Sequence, residues 1–223
     1  MSPPVPRPRC ITALLVGAVL QAGCASTWLE SSVPVPETYR IGPMPQARGE
    51  AAGEPRAIGL ALTVARPRAS TAIDTDRIAV VPAPSRFDYY SDVRWAEAAP
   101  QMLQQNLVAA LATSNRFAGV FAAPARVPAE LMLDVELRHF EAVTAAGEAT
   151  PAAHVQLQVS LVDSRRAMRV TSFVSEARVM AAQNRRSDIV AAFEAASARV
   201  VADVVARVSA AAAGLESPPA GGQ

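Results

Sequence analysis

The chain has 223 residues, of which 51% are hydrophobic, and its formal net charge at pH 7 is +1. This apolar content is enough for a core and excludes a disordered chain. The near-neutral charge excludes a protein that binds nucleic acid through a strongly basic surface. The length allows one domain with tails, or at most two small domains.

The first segment has the layout of a secretory signal peptide that ends at a lipidation site. Arg7 and Arg9 precede an apolar run over residues 11–20, and Gln-Ala-Gly follows before Cys24. Cleavage there would leave a cysteine at the N-terminus as the acceptor for lipid. We therefore predict a signal peptide over residues 1–23 and a covalent lipid, such as palmitate, on Cys24. The apolar run is about half of the ~20 residues that span a bilayer, which predicts an anchor signal and not a transmembrane helix.

Gln21 departs from the usual lipobox, which has leucine at this place. A plain signal peptide cleaved near Ala-Gly, or an unmodified cysteine, is the alternative to lipidation. Cys10 would leave with the signal peptide, so the mature chain would have one cysteine. That excludes an intrachain disulfide and a zinc site built on cysteines. We predict no cofactor other than the lipid.

The predicted domain lies between two segments rich in proline and glycine. Residues 24–57 are interpreted as the lipidated N-terminus and a tether, in which Tyr39-Arg40-Ile41 could form a short edge strand. Residues 58–214 are predicted to form a single domain. Residues 215–223 are predicted to be a disordered tail.

The domain begins with short strands and then a helix. Residues 60–65 and 77–81 are apolar runs of strand length, and residues 86–90 fit either a third strand or an extended loop. From Pro100 the apolar residues recur with helical spacing until Ser114-Asn115, which is a plausible stop. Residues 117–121 form a further short strand.

Three longer strands follow, and the first two alternate strictly. In residues 131–141 and 153–162 the odd-numbered positions are apolar up to residues 137 and 161, while the even-numbered positions are mostly polar. This pattern predicts a sheet that is covered on one side and is wet, or faces a partner, on the other. Residues 163–166 read as a turn, and residues 168–180 as a third strand of an antiparallel meander.

The last element is a long helix with Ser187 as N-cap, Asp188 in the first turn and Gly214 as terminator. Its apolar stripe is rich in valine, so burial must stabilise it. The order of elements predicts an α+β fold: a two-layer sandwich in which two helices pack on one face of a mixed, largely antiparallel sheet.

Catalytic patterns are missing from the sequence, so we predict that the protein is not an enzyme. His139 is interpreted as a residue of the core or sheet edge, because it closes the apolar face of its strand. His154 is interpreted as a surface residue that could pair with an aspartate of a neighbouring strand. Four aspartates between Asp74 and Asp92 lack the spacing of a calcium loop, so no metal is predicted.

Three of the five Tyr and Trp residues fall within seven positions, before the first helix and among arginines. Aromatic and arginine side chains are enriched at interface centres. The alternative is that Tyr90 and Trp95 fix this segment onto the helix. The candidate partner surface comprises Asp74, Arg77, Tyr89, Tyr90, Arg94 and Trp95.

The order of several short motifs resembles the ABC-type transport auxiliary lipoproteins, the family of PqiC-like lipoproteins. These motifs are Tyr39-Arg-Ile-Gly-Pro43, Ile73-Asp-Thr-Asp-Arg-Ile-Ala79, Phe87-Asp-Tyr-Tyr90 and Arg94-Trp95-Ala96. The resemblance continues through the first helix, residues 117–120 and 131–140, and the alanine-rich last helix. It covers roughly residues 37–210.

The resemblance implies a lipoprotein of the outer membrane that faces the periplasm, and Ala25 after the cysteine agrees with that sorting. It further implies an MCE-domain protein as partner, connected to an ABC permease and ATPase that move lipids or other hydrophobic molecules. A ring of identical subunits is a further implied possibility, and the family has no catalytic centre.

A docking subunit of such a transporter is therefore the leading hypothesis from the sequence. The alternatives are a periplasmic lipid carrier or chaperone, which would need an enclosed apolar cavity, and a structural lipoprotein of another envelope complex.

Overall fold

The computed structural model describes residues 35–42, 58–83, 86–145 and 147–216. The predictions for the signal peptide, for Cys24 and for residues 217–223 of the tail lie outside these residues, as does most of the predicted tether. Residues 215 and 216, which belong to the range assigned to the tail, are part of the last helix. Residues 37–39, which belong to the range assigned to the tether, form a strand of the sheet.

The described residues form nine strands and two helices, and they confirm the predicted α+β fold with its mixed sheet. In chain order the elements are β1 (Glu37–Tyr39), β2 (Ile58–Val64), β3 (Arg68–Ala69), β4 (Arg77–Ala83), β5 (Arg86–Trp95), α1 (Ala99–Thr113), β6 (Phe117–Ala122), β7 (Leu131–Val143), β8 (Ala152–Asp163), β9 (Met168–Met180) and α2 (Arg186–Glu216).

Strand β7 is the centre of the sheet. Along one edge it pairs antiparallel with β8, which pairs antiparallel with β9, so the predicted meander is confirmed. Along its other edge it pairs parallel with β2, then β3, then β4. The sheet therefore forks: β2 continues to β6, whereas β4 continues to β5 and β1.

One face of this sheet carries the helices. The residues of β7 and β8 on this face are fully buried: Leu131, Leu133, Val135, Leu137, Ala153, Val155, Leu157, Val159 and Leu161. Helix α2 packs on β8 and β9, α1 packs on β6, and the helices contact each other. Burying a large aliphatic side chain contributes about 1.5–3 kcal/mol relative to leaving it exposed, which explains how a valine-rich helix is stable here.

A β-bulge in β7 changes which residues face the helices. Leu137 lies opposite Leu157, but His139 lies opposite Gln156, so β7 has one extra residue at this point. The buried positions consequently pass from odd to even numbers, and Phe140 and Ala142 continue the inner face. The prediction that His139 closes the apolar face is therefore wrong, because the bulge turns it to the outer face.

A larger irregularity occurs in β5. Arg94 lies opposite Arg77 and Tyr89 lies opposite Ala79, so five steps along β5 correspond to two along β4. Residues 86–95 form one strand, which confirms the strand alternative for residues 86–90 and extends it to Trp95. These extra residues in β5 change which of its side chains point towards α2.

The helix ends agree with the prediction for α1 and differ for α2. Helix α1 has Pro100 in its first turn and ends before Ser114, and Asn115 has a positive φ of 52°. Helix α2 begins at Arg186, so the predicted N-cap Ser187 lies inside its first turn. It also continues through Gly214 to Glu216, because a single glycine weakens a helix by only about 1 kcal/mol.

Candidate functional site

The predicted partner residues separate into two groups on opposite faces of the sheet. Tyr89 lies on the face away from the helices, where its hydroxyl donates a hydrogen bond to the Ala72 carbonyl at 2.9 Å. The Arg77 guanidinium lies 3.7 Å from the centre of the Tyr89 ring, and the exposed Phe87 meets this ring edge-on at 5.5 Å. Arg94 lies opposite Arg77 in register, so it faces the same side. We call Arg77, Phe87, Tyr89 and Arg94 the outer β4–β5 surface.

Ion pairs lie at the edge of the outer β4–β5 surface. Arg94 Nη1 is 3.5 Å from Asp76 Oδ2. Asp74 accepts two hydrogen bonds from Arg66, at 2.6 and 3.1 Å, so its carboxylate is bound within the loop that precedes β4. Such a two-pronged pair fixes geometry more than it adds stability, because both partners are partly exposed.

Trp95 belongs to the core and not to a partner surface, which corrects its assignment. Only 1% of its surface is exposed, and its ring packs on Phe140 at 5.7 Å and on Phe193 of α2 at 5.2 Å. Its backbone N–H donates to the Asp76 carbonyl at 2.7 Å. In the structure Trp95 fixes its segment onto a helix, as the alternative prediction stated. This helix is α2 and not α1.

Tyr90 faces α2 as well, and it lines a small cavity. Val93 and Ile78 from the strands and Ile189, Val190 and Arg186 from α2 complete the lining of this cavity, whose volume is about 180 Å³ with part of it open to solvent. Burial raises the pKa of the Tyr90 hydroxyl above its usual value. Tyr90 therefore helps to join β5 to α2 and contributes little to the outer β4–β5 surface.

A second feature of the outer face was not predicted from the sequence: a cluster of two histidines and two glutamates. His139 Nδ1 lies 2.6 Å from Glu141 Oε1. The other carboxylate oxygen of Glu141 accepts a hydrogen bond from the Phe140 N–H. His154 Nε2 lies 2.9 Å from Glu176 Oε1, and its Nδ1 lies 3.7 Å from Glu141 Oε1. We call His139, Glu141, His154 and Glu176 the histidine cluster.

The histidine cluster corrects the interpretation of His154. Its exposed fraction is 4%, so it is not a surface residue, although the proposed pairing with a carboxylate of a neighbouring strand is correct in kind. The partner is a glutamate of β9. Gln156 and Arg178 also donate to Glu176, at 2.7 and 3.2 Å, and complete a network across the strands.

The charge of Glu141 is stabilised in spite of its burial. Burial alone raises the pKa of this carboxyl, but the interactions with His154, His139 and the Phe140 amide together lower it below the usual value. Glu176 also has a lowered pKa, first because of the hydrogen bond from Gln156. Two negatively charged carboxylates therefore lie on either side of the His154 ring.

The histidine cluster and the outer β4–β5 surface are neighbours. Tyr89 lies opposite Ala79, Ala79 lies opposite Glu141, and Glu141 lies opposite His154. Residues opposite each other in a sheet point to the same side, and adjacent strands are about 4.8 Å apart. Tyr89 and Glu141 are thus separated by two strand spacings, or about 10 Å, on one continuous face.

The sequence model of the family described as ABC-type transport auxiliary lipoprotein component matches residues 39–205. The chain belongs to this family. The match includes most of the described residues, among them both parts of the outer face. The family description names a transport component and a lipoprotein, whereas the predicted lack of enzyme activity stays a prediction.

Solved structures support the assignment of this auxiliary lipoprotein at the level of the fold. Protein XCC0632 from Xanthomonas campestris is similar with a TM-score of 0.68 and 26% identity, over 81% of this chain and 96% of that one. An uncharacterized protein is similar with a TM-score of 0.59 and 12% identity, over 78% and 99% of the two chains. Comparison with curated proteins gave no match.

Neither α1 nor α2 of the auxiliary lipoprotein is long and apolar enough to cross a membrane.

Proposed function

We propose that this auxiliary lipoprotein is a non-enzymatic docking subunit of an ABC-type system that transports lipids or other hydrophobic molecules. A lipid on Cys24 anchors it in the outer membrane, on the periplasmic side, and an MCE-domain protein is its partner. The observation that carries the proposal is the outer β4–β5 surface, in which an arginine is stacked on a fixed tyrosine beside an exposed phenylalanine, in a chain of a transport auxiliary family.

The physical character of this surface supports docking. Tyrosine and arginine are over-represented among the residues that dominate binding energy. The hydrogen bond from Tyr89 to Ala72 and the stacking of Arg77 hold both side chains in place, so a partner would lose little conformational entropy by binding them. Phe87, with 43% of its surface exposed, supplies apolar area that a partner can cover.

The volume between sheet and helices favours docking over a lipid carrier. Ligand cavities for molecules of drug size are about 300–1,000 Å³, whereas the cavity between β5 and α2 is partly open and has room for about one water molecule. Large side chains fill the centre of the layer, among them Trp95, Phe140 and Phe193, which pack on one another. An acyl chain would have to displace them.

The test is a pull-down of the lipidated protein from crosslinked membranes, with mass spectrometry of the bound proteins. We expect an MCE-domain protein with the unaltered chain and several-fold less of it with Phe87→Ala or Tyr89→Ala. Val174→Ala is the matched control, because Val174 is 41% exposed on the distant strand β9. Recovery of lipid without any transporter component would contradict docking and favour a carrier.

The anchor is tested separately by Cys24→Ser and labelling with a palmitate analogue. We expect the label on the unaltered chain and none on the variant. A label that persists on the variant would contradict lipidation at Cys24, without bearing on the docking surface.

A further inference from the structure

We propose that His139, Glu141 and His154 bind a divalent metal ion of the zinc class on the outer face of the sheet. This inference goes beyond the docking function and does not rest on it. One ligand atom from each of the three side chains lies within 4.8 Å of the other two. Two imidazole nitrogens and one carboxylate oxygen form a donor set that zinc prefers, and three protein ligands leave a fourth position for water or a partner side chain.

The two histidines present the same nitrogen to the same oxygen. His139 Nδ1 and His154 Nδ1 lie 2.6 and 3.7 Å from Glu141 Oε1. Two ligands bound at about 2.0–2.1 Å in tetrahedral geometry are about 3.3 Å apart. The observed separations bracket this value, so both nitrogens already lie near the distance from the Glu141 oxygen that a shared metal requires, although the two rings must still turn relative to each other.

Outer hydrogen bonds orient the ligands as they do in metal sites. A histidine ligand almost always donates its other ring N–H to a carboxylate or carbonyl group. His154 has this arrangement, because its Nε2 meets Glu176 Oε1 at 2.9 Å, and Gln156 and Arg178 in turn hold Glu176. The Glu141 carboxylate is held by the Phe140 N–H through the oxygen that does not face the histidines. These contacts hold His154 Nδ1 and Glu141 Oε1 beside each other, 3.7 Å apart.

Among the three ligands the site is open to solvent only at His139, and a metal ion can enter there. The side chains of His154 and Glu141 are 5% and 8% exposed, whereas that of His139 is 44% exposed. The two buried ligands form a fixed floor. His139, which follows the bulge in β7, lies over this floor and can move towards solvent.

Metal binding requires one rearrangement. The two imidazole rings are stacked, with their centres 4.3 Å apart and their planes 20° from parallel. Because the lone pair of an imidazole nitrogen lies in the ring plane, parallel rings do not aim at one point. His139 must turn out of the stack, and the proton that its Nδ1 shares with Glu141 must move to Nε2 or to water. The site therefore binds the metal less tightly as the pH falls.

The test uses the full mature chain, purified through a tag without histidine and treated with a chelator. We expect Zn²⁺ to bind with one ion per chain in calorimetry, to raise the melting temperature and to shift the imidazole signals of both histidines in NMR spectra. Co²⁺ should give the visible absorption of a four-coordinate site.

Variants decide whether this binding uses the proposed ligands. His139→Ala should abolish the single-site binding and keep the fold, because His139 is half-exposed. Glu176→Gln should weaken binding by about 10–100-fold, as changes of outer partners do. Ser160→Ala, on the same face of β8, is the matched control and should bind as the unaltered chain does. The absence of stoichiometric binding, or its persistence in His139→Ala, would overturn the proposal.

Discussion

The two faces of strands β7–β9 differ in chemistry and in burial, although they are made by alternate residues of the same segments. The inner face is apolar and sealed by the helices, and Leu133, Val135, Leu157 and Val159 on it have no exposed surface. The outer face carries charged, amide and hydroxyl side chains that bind one another. The inner face accounts for the stability of the fold, and the outer face holds the groups that can recognise another molecule.

The outer face is itself divided. Near β4 and β5 its side chains are fixed and partly buried, as Tyr89, Glu141 and His154 are. Near the middle of β8 and β9 they are Gln158, Ser160, Ser172 and Val174, of which Ser172 and Val174 are exposed. Substitutions should therefore have three levels of effect: large on the inner face, intermediate in the histidine cluster and the outer β4–β5 surface, and small elsewhere on the outer face.

The largest effect is expected for Trp95→Ala on the inner face. Removing a buried aromatic ring that packs on Phe140 and Phe193 should lower the free energy of unfolding by about 3–5 kcal/mol. Urea unfolding followed by circular dichroism measures this change. Phe87→Ala, eight residues earlier and exposed, should cost less than about 1 kcal/mol. Equal losses in the two variants would contradict the separation of the faces.

The next effect is expected for Glu141→Leu in the histidine cluster. The variant removes the acceptor of the buried Phe140 N–H and the carboxylate beside the buried His154, so these polar groups lose a partner inside the protein. Loss of such a partner costs about 1–3 kcal/mol per buried group. Urea unfolding in the presence of a chelator measures it without any metal. A variant as stable as the unaltered chain would show that the network contributes nothing to folding.

These two sites also show where sequence analysis stops. The alternation in residues 131–137 and 153–161 correctly predicted the covered and the uncovered face, because burial on one side of a strand imposes a period of two. The bulge after Leu137 breaks that period without a proline or glycine to mark it. It sent His139 and Glu141 to the face opposite to the one that a simple count of residues assigns.

The sequence also could not separate the candidate partner residues by face, for a related reason. Tyr89, Arg77 and Arg94 lie on the outer face, whereas Tyr90 and Trp95 face α2. The irregular register of β5 and the position of α2, about a hundred residues later in the chain, decide which aromatic side chain is buried. The pairing of β2, β3 and β4 in turn along β7 depends on equally distant contacts.

A smaller effect is expected for Tyr89→Phe in the outer β4–β5 surface. The variant keeps the ring under Arg77 and loses only the hydrogen bond to the Ala72 carbonyl, so the free energy of unfolding should fall by about 0.5–1.5 kcal/mol. Partner recovery in the pull-down should fall less than with Tyr89→Ala. If both variants lose the partner equally, the hydroxyl group itself and not the fixed ring is what the partner binds.

The smallest effect is expected for Ser160→Ala, and its neighbour makes it the sharpest test of the two-faced sheet. Ser160 Oγ lies 3.0 Å from Ser172 Oγ on the outer face, where water can replace either hydroxyl, so the free energy of unfolding should change by at most about 0.5 kcal/mol. Leu161→Ala, one residue later and fully buried, should cost about 2–5 kcal/mol. Urea unfolding of the two variants compares the faces at one point of one strand. Similar values would mean that β8 is covered on both sides, so that the polar residues of its outer face would be part of a second buried layer and unavailable to a partner.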